Sequence, residues 1–284
     1  MSNREQVHSL FRGSAELGKK LQAIGLDLEI LAAIFAVSGV FVQGSNWSAW
    51  QPLIAFTLLG LALVARLFAV RFEKFAETCR RESARAYAEG KEIGYARLSS
   101  LKSDAPALAI QLAGRLPAST MDDYYEAECP EGEARLREIY ANSASHTWRL
   151  LRLWAWIVGS LGFAAFFMTF GVVYGLATHQ QPADNTALLL DALCSIVLTV
   201  LSLRAIEVAV GAWTSATATR RIADSLVDGP LLRGDLLEEL VRNYDFERTC
   251  SPSIPTWLYK WRRPGLADDW RSCKRALSSQ PETD

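Results

Sequence analysis

Long stretches without a charged side chain constrain this sequence more than any other feature. Residues 30–65 and 153–183 contain no Asp, Glu, Lys or Arg, and residues 187–203 contain only Asp191 among these types. A helix that crosses a membrane needs roughly 20 apolar residues. Because the first stretch is too long for one such helix and has turn residues near its middle, we expect a hairpin there. The pattern predicts four membrane spans, at residues 26–43, 50–69, 152–177 and 187–208.

The basic residues all lie on one side of these predicted spans. Every Lys and Arg is at or before Lys20, between Arg66 and Arg152, or at or after Arg204. The short connection between the first and second predicted spans and the one between the third and fourth therefore contain no Lys or Arg. Basic residues are usually retained on the cytosolic side of a membrane. The sequence thus predicts that both termini and the segment 71–151 are cytosolic.

The polar remainder of the sequence has the composition of helices. Residues 71–102 are rich in Ala, Glu, Lys and Arg and contain no proline, so the second span is expected to continue as one long helix. We therefore expect an all-α membrane protein, with four transmembrane helices and long helical extensions that form a cytosolic region. The expected domains are 1–25, a cytosolic N-terminal helix; 26–70, a transmembrane hairpin of spans 1 and 2; 71–151, a cytosolic helical region; 152–208, a hairpin of spans 3 and 4; and 209–284, a cytosolic helical region with an aromatic and basic tail.

Composition and motifs argue against several classes of function. The formal net charge of −1 gives no reason to expect nucleic acid as a partner. The cysteines are odd in number and far apart, which favours free thiols over a disulfide framework or a zinc site. The phosphate-binding, dinucleotide-binding, zinc-protease and serine-hydrolase motifs are absent. We therefore expect no enzymatic activity, no catalytic residue, no metal site and no cofactor.

The fourth predicted span carries a polar stripe. Asp191, Ser195, Thr199 and Ser202 follow one another at helical intervals, which places them within an arc of about 80° on one helix. A carboxylate that faces lipid is costly, so one interpretation makes these four residues the wall of a water-filled pore. The alternative is a seam between helices, with Asp191 near the outer headgroups.

The third predicted span carries glycines at four positions, Gly159, Gly162, Gly171 and Gly175. Gly171 and Gly175 have the spacing at which two membrane helices often approach closely. The sequence thus predicts helix–helix packing at this last pair.

Two cytosolic stretches resemble a known family. The first is DDYYEAECPEGEARLREIYANSASHTWRLLR, at 122–152, and the second is IPTWLYKWRRPGLADDW, at 254–270. They are similar to segments of the SMODS-associated four-transmembrane effectors, which are bacterial anti-phage proteins described as pore formers. The similarity rests on Tyr124, Tyr125, Gly132, Arg135, Leu136 and Glu138 in the first stretch, and on Pro255, Trp257, Leu258, Tyr259 and Trp270 in the second.

The resemblance implies a function. In such systems a partner nucleotidyltransferase makes a cyclic nucleotide that controls the membrane effector. The chain is then expected to be a multi-pass protein of the bacterial inner membrane that permeabilises the bilayer as a homo-oligomeric pore. Its expected partners are the lipid bilayer, further copies of itself and a cyclic oligonucleotide as regulatory ligand, with no nucleic acid. The alternative is a non-conducting membrane scaffold or receptor that recruits a cytosolic partner.

The tail ranks first as a place for this ligand, because it interleaves aromatic and basic residues. Guanidinium groups bind phosphate, and indole rings stack on bases. Contact with the anionic inner leaflet is a second interpretation of the tail. A third is a structural clasp that packs one helical face against other cytosolic helices, namely Ile254, Trp257, Leu258 and Trp261. The candidate ligand contacts are Trp257, Lys260, Trp261, Arg262 and Arg263 in the tail, with Arg220 and Arg221 at the foot of the fourth span. A lower-ranked candidate consists of Arg80, Arg81, Arg85 and Tyr87.

Overall fold

The computed structural model describes residues 2–41, 50–116, 121, 125, 127–178, 185–228 and 234–278; for 185–194 and some other helical positions it describes the backbone alone. Every regular element in these ranges is a helix, which confirms the expected all-α class for this part of the chain. The helices are α1 (Asn3–Phe41), α2 (Gln51–Glu89), α3 (Tyr95–Asp104), α4 (Ala107–Arg115), α5 (Glu133–Thr178), α6 (Asn185–Asp228), α7 (Asp235–Cys250) and α8 (Thr256–Ser278).

Three helices in the described ranges are long and apolar enough to cross a membrane. By length and composition they are Gln51–Glu89, Glu133–Gly171 and Ser195–Val227, within α2, α5 and α6. The first predicted span, 26–43, ends outside the described residues. The number of four spans therefore stays a prediction, as does the cytosolic placement of the polar segments.

The predicted extension of α2 is present, but it is shorter than expected. Gly90 has a φ of +68°, and its N–H donates to the carbonyl of Tyr87 at 3.3 Å. The N–H of Lys91 donates to the carbonyl of Ala86 at 3.0 Å. A glycine in this left-handed conformation commonly ends a helix, because a side chain would be strained there. The predicted continuous helix over 71–102 is therefore wrong after Glu89, and α3 follows as a separate helix.

The chain divides into two compact units. The polar unit comprises Met1–Lys19, Val70–Leu153 and Ala212–Asp284, and the apolar unit comprises Lys20–Ala69 and Trp154–Gly211. The helices α1, α2, α5 and α6 contribute residues to both units. The domain boundaries expected from the charge pattern separate membrane spans from cytosolic segments, whereas these two units are defined by packing. The expected boundaries therefore stay a prediction.

Two apolar clusters lie among the described residues of the polar unit. In the larger one, Tyr140 of α5 and Tyr244 of α7 are fully buried and meet edge to face, with ring centroids 5.6 Å apart. Trp270 of α8 belongs to this cluster as well. The smaller cluster joins α1, α2 and α3 through residues such as Val7, Cys79 and Leu101. Both clusters form because each helix turns one apolar stripe inward.

Small side chains dominate the interior of the apolar unit. Ala32 and Ala36 of α1, Ala55 of α2 and Val197 of α6 are buried in one cluster. Small residues let helix backbones approach closely, which is the usual basis of helix packing in membranes. The composition of this cluster is therefore typical of a membrane bundle.

Among the described glycines of α5, Gly162 has the closest contact with α6. A Cβ added to Gly162 would lie 3.0 Å from the Cβ of Ala205. A Cβ added to Gly171 would meet no atom of the described residues within 4 Å. The predicted packing contact is therefore not found at Gly171, and Gly175 lies outside the described side chains.

Candidate functional site

A buried ion cluster links helices of the polar unit around Arg80. The Arg80 side chain is 2% exposed, and its Nη2 donates to Oε1 of Glu77 at 2.6 Å. The same nitrogen donates to Oδ1 of Asp245 on α7 at 2.8 Å. The guanidinium carbon lies 5.5 Å from the ring centroid of Tyr140 and 5.7 Å from that of Tyr244. Ion pairs and aromatic rings thus take the place of water around this charge.

Two further arginines complete the cluster. Arg248 donates from Nε to Oε2 of Glu77 at 3.0 Å and from Nη1 to the hydroxyl of Tyr244 at 3.0 Å. Arg81 donates from Nη2 to the backbone carbonyl of Asp245 at 2.6 Å. Guanidinium groups thus outnumber carboxylates in the cluster, and each of them is engaged by acceptors of the polar unit.

Burial and charge act in opposite directions on the pKa values of this cluster. Burial would lower the pKa of Arg80, but Glu77, Tyr140 and Tyr244 together outweigh it and raise that pKa above its usual value. Burial alone would raise the pKa of Glu77, but Arg80 and Arg248 outweigh it and keep that pKa below its usual value. Both groups are therefore charged at neutral pH, and the cluster acts as an internal ion pair network.

Two residues of the lower-ranked nucleotide candidate, Arg80 and Arg81, belong to this network, and Arg85 lies beside it. Arg80 and Arg81 contact Asp245, and Nη2 of Arg85 lies 3.0 Å from Oε2 of Glu238. Carboxylates therefore occupy the positions that a phosphate would take. These contacts argue against phosphate binding at this place.

Sequence reasoning missed the partner of Arg80, although α7 carries a signal for it. The buried residues of this helix are Leu237, Val241, Tyr244 and Asp245, which lie on one face. An acid at a core-facing position needs a compensating cation. The position of Asp245 therefore predicts a buried basic partner, without indicating which Lys or Arg it is.

The first stretch that carries the family resemblance includes the non-helical residues 127–132 and the start of α5. Oε2 of Glu138 accepts hydrogen bonds from the backbone N–H groups of Glu128 and Cys129, both at 2.9 Å. Arg135 donates from Nε to the carbonyl of Cys129 at 3.0 Å. Its guanidinium also lies 5.1 Å from the ring centroid of Tyr87. Arg135 and Glu138 therefore shape this loop.

Other residues of this stretch also contribute to structure. Gly132 has a φ of +117°, which glycine adopts far more readily than other residues, and its N–H donates to a carbonyl of α2 at 2.7 Å. Leu136 is buried in the larger cluster. Tyr125 is buried with its ring stacked on Tyr87, at 5.3 Å between centroids. Tyr124 lies outside the described residues.

The tail forms α8, and its buried face differs from the predicted clasp. Leu258, Leu266 and Trp270 are buried, whereas Trp257 is 49% exposed and Trp261 is 63% exposed. The buried three residues fall on one side of the helix, and the two tryptophans lie roughly 100° or more from its centre. The predicted clasp is therefore right about Leu258, but the face centred on the two tryptophans is not the one that α8 buries.

The candidate ligand contacts of the tail lie on the surface of the polar unit. Lys260, which lies between Trp257 and Trp261 in the sequence, is exposed, and so is Arg262, which follows Trp261. The two tryptophans are exposed as well. The guanidinium of Arg262 lies 5.9 Å from the ring centroid of Trp261. Arg263 lies outside the described side chains. The structure thus brings basic and aromatic groups together here, on an open helix surface.

The other candidate ligand contacts lie on α6. The guanidinium of Arg220 is 5.4 Å from the ring centroid of Trp148, and its Nε is 3.6 Å from Oδ2 of Asp224. Arg149 approaches the same ring, also at 5.4 Å. Arg221 is exposed. Arg220 therefore stands beside an aromatic ring, which is the combination that the predicted nucleotide contact requires.

The predicted polar stripe lies on α6 in the apolar unit. Ser202 is buried, and its hydroxyl donates to the carbonyl of Leu198 at 2.7 Å. Thr199 donates in the same way to the carbonyl of Ser195 at 2.7 Å. Such bonds within a helix satisfy a hydroxyl in apolar surroundings. The side chain of Asp191 lies outside the described part, so the pore assignment stays a prediction.

A second ion cluster, in the apolar unit, joins α1, α2 and α6. Glu29 is buried and accepts a hydrogen bond from Arg66, and Nε of Arg204 lies 3.7 Å from its Oε1. Gly25 leaves room for this pair, since a Cβ there would lie 3.1 Å from Cγ of Arg66. Helical spacing alone would pair Arg204 with Glu207. Sequence reasoning therefore missed Glu29 as the partner shared by two arginines.

Metal ligands do not converge in the part of the chain that the structure describes. No group of three or more His, Cys, Asp or Glu side chains there could hold a metal ion. The expected absence of metal sites, cofactors and catalytic residues stays a prediction for the whole chain. Comparison with models of protein families, with curated proteins and with solved structures finds no match to this chain.

Proposed function

We propose that this chain is a membrane effector of a bacterial anti-phage defence system. In this proposal it permeabilises the inner membrane as a homo-oligomeric pore, under control of a cyclic nucleotide from a partner nucleotidyltransferase. The observation that carries the proposal is that the helices long and apolar enough to cross a membrane also supply residues to the polar unit. The resemblance of residues 122–152 and 254–270 to four-transmembrane effectors is the basis for proposing a role in anti-phage defence.

Exposed apolar side chains of the apolar unit support insertion into a bilayer. On α5, Phe163, Phe167 and Phe170 are exposed, and Phe167 is 69% exposed. On α2, Leu61 and Leu67 are exposed as well. Monomeric soluble proteins rarely leave large apolar patches in water. Lipid chains would cover these residues, and a helix satisfies its own backbone hydrogen bonds as a bilayer requires.

Continuous helices support the proposed control by a ligand. α2, α5 and α6 each run without a break through the residue at which the two units divide. A ligand that prefers one arrangement of the polar unit shifts the population of that arrangement. Small shifts of long helices are a common way to carry such a change. The polar unit is thus the proposed receiver of the nucleotide, and the apolar unit is the proposed conductor.

The proposal includes four spans, with both termini and the polar segments in the cytosol. Its support is the position of every Lys and Arg outside the two short connections. A single protomer with four helices offers little room for a path, so self-association would complete the pore. Asp191, Ser195, Thr199 and Ser202 are the proposed lining, and the buried hydroxyl of Ser202 makes it the least supported of the four.

The proposed nucleotide contacts are basic and aromatic residues of the polar unit. Arg220 beside Trp148 is the better supported pair, because a guanidinium next to an aromatic ring can serve phosphate and base together. The tail offers the second set, and a lipid surface competes for it. Arg221 joins Arg220 as a proposed contact, and the tail residues that would bind the nucleotide in place of lipid are Trp257, Lys260, Trp261, Arg262 and Arg263.

Dye release from liposomes tests this function. The purified protein is reconstituted into liposomes that contain phosphatidylglycerol, and release is measured with a panel of cyclic di- and trinucleotides. We expect one member of the panel to change the release rate, and Asp191→Leu with Thr199→Leu to suppress release. Thr217→Leu is the matched control, because Thr217 on the same helix makes the same kind of hydroxyl bond, to the carbonyl of Trp213 at 3.0 Å.

Three results would contradict parts of the proposal. Release that no nucleotide changes would contradict the control by this ligand. Release that survives the double substitution in α6 would contradict the pore lining. Inserted protein that never releases dye would favour the non-conducting scaffold or receptor.

A further inference from the structure

We propose that the first half of α8 docks on an anionic lipid surface. The docking face consists of Trp257, Lys260 and Trp261, and the guanidinium of Arg262 approaches it, 5.9 Å from the ring centroid of Trp261. This inference rests on the proposed membrane function, which supplies the bilayer that the docking face would contact. It assigns the exposed aromatic residues of the tail to lipid headgroups.

Helix geometry places the aromatic and basic groups of the docking face together. Trp261 lies about 40° from Trp257 around the helix axis, and Lys260 lies about 60° from Trp257 on the other side. Leu266 is buried on the opposite side of the helix, and Leu258 is buried about 60° beyond Trp261. The polar unit therefore holds α8 by one side, and the docking face points away from the core that anchors it.

Ion pairs leave the docking face with a positive charge. Oδ2 of Asp269 lies 2.5 Å from Nη1 of Arg149, and Oδ1 of Asp268 lies 3.0 Å from Nη2 of Arg271. Both acids of the tail are thus neutralised by arginines. Lys260 and Arg262 have no carboxylate within ion-pair distance in the part of the chain that the structure describes. Charge complementarity therefore favours an anionic surface.

The side chains on this face suit the boundary between headgroups and acyl chains. Tryptophan combines a large apolar body with an N–H donor, and it is enriched at that boundary. The guanidinium of Arg262 lies 5.9 Å from the Trp261 ring, so it can bind lipid phosphate while the ring enters the interface. A small anionic ligand would need a concave site, whereas these residues lie on an open helix surface.

Fluorescence of the full-length protein in lipid nanodiscs tests the docking. An environment-sensitive fluorescent amino acid replaces Trp261, and emission is compared between discs of phosphatidylcholine alone and discs that also contain phosphatidylglycerol. We expect emission at shorter wavelength in the anionic discs, with a shift that decreases as salt is added. The same probe at Tyr95 is the matched control, because this aromatic residue of the polar unit is 80% exposed, and its emission should not depend on the lipid.

Removal of the basic residues should reduce the difference in emission between the two kinds of disc by a predictable amount. A basic residue near an anionic surface is worth roughly a fivefold change in the ratio of docked to undocked protein. Lys260→Gln with Arg262→Gln should therefore abolish most of the difference between the two kinds of disc. Lys102→Gln, which removes an exposed charge from α3, should leave that difference unchanged. Melting temperatures of these variants should equal that of the native protein, since none of the replaced side chains is buried.

The outcomes separate this inference from the proposed function. Equal emission at position 261 in both kinds of disc, from protein that resists carbonate extraction, overturns the docking and leaves membrane insertion intact. A shift caused by a cyclic dinucleotide in detergent without lipid also overturns it, because the tail is then a nucleotide site. Protein that carbonate extracts from membranes overturns both.

Discussion

Arg80 and Asp245 are 165 positions apart in the sequence, yet Nη2 of the arginine and Oδ1 of the aspartate lie 2.8 Å apart inside the polar unit. Both side chains are buried, and Glu77 shares the same guanidinium. A buried ion pair adds little stability over an apolar pair, because both charges lose their water. Removal of one partner is costly, because the other charge stays buried without compensation.

Replacing the acid of this pair should destabilise the polar unit strongly. We expect Asp245→Ala to lower the free energy of unfolding by about 3–5 kcal/mol. The matched control is Glu238→Ala, which breaks the half-exposed pair between Arg85 and Glu238 and should cost less than about 1 kcal/mol. Urea unfolding of the detergent-solubilised protein, followed by circular dichroism, measures both values. Equal losses in the two variants would contradict a special role for the buried pair.

Stability should fall on acidification because of His8. Burial, helped by the charge of Arg12, lowers the pKa of His8 from 6.5 to about 4. Between these two values the unfolded chain binds a proton at this residue and the folded chain does not. The stabilisation is thus fully present above pH 6.5 and is lost as the pH falls towards about 4, by about 3 kcal/mol at most.

The histidine effect is isolated by comparison with His8→Gln. Thermal unfolding of both proteins is measured from neutral pH down to the lower of the two pKa values. We expect the native protein to lose more stability than the variant over this window. Parallel curves would show that His8 makes no contribution to the pH dependence.

A side chain at Gly162 should disrupt the contact between α5 and α6. A Cβ at this position lies 3.0 Å from the Cβ of Ala205 and 3.3 Å from the backbone nitrogen of Ile206, which cannot move away cheaply. We expect Gly162→Val to cost about 1–3 kcal/mol through overpacking. Gly171→Val is the control on the same helix. A melting temperature lowered equally by both variants would contradict the assigned packing contact.

Cysteine labelling should place position 47, between the first two predicted spans, and position 100, in the polar segment, on opposite sides of the membrane. We expect a membrane-impermeant maleimide to label Trp47→Cys in intact spheroplasts, and to label Ser100→Cys only after permeabilisation. Ser100 on α3 is exposed, so burial does not hide it from the reagent. Labelling of position 100 from outside would refute the proposed orientation.

Local features of the sequence predicted much of the fold. The continuation of α2 beyond its apolar stretch follows from residues rich in Ala, Glu, Lys and Arg. The stop at Glu89 escaped prediction, although Gly90 is a common residue at a helix end. A glycine inside a polar helical pattern is often tolerated, so the pattern alone favoured continuation.

The candidate sites were predicted less completely. The tail was singled out because aromatic and basic residues alternate there, and α8 does expose Trp257, Trp261 and Lys260 together. The expected clasp face differed, because spacing along a helix shows which residues share a face but not which face the rest of the unit covers. Arg220 was singled out by charge alone, and its neighbour Trp148 became known only from the structure.

The sequence by itself determined the helical class, which stretches of the chain are apolar and which stretches contain the Lys and Arg residues. These properties depend on residues close to one another in the chain, through helical hydrogen bonds and local composition. Only the tertiary structure decided that Arg80 meets Asp245, that Glu29 meets Arg66 and Arg204, and that Gly162 contacts Ala205 and Ile206 of α6. The physical reason is that each of these contacts requires a particular pairing and rotation of distant helices. Many helix rotations satisfy the same local pattern, and the packing of the whole unit selects among them.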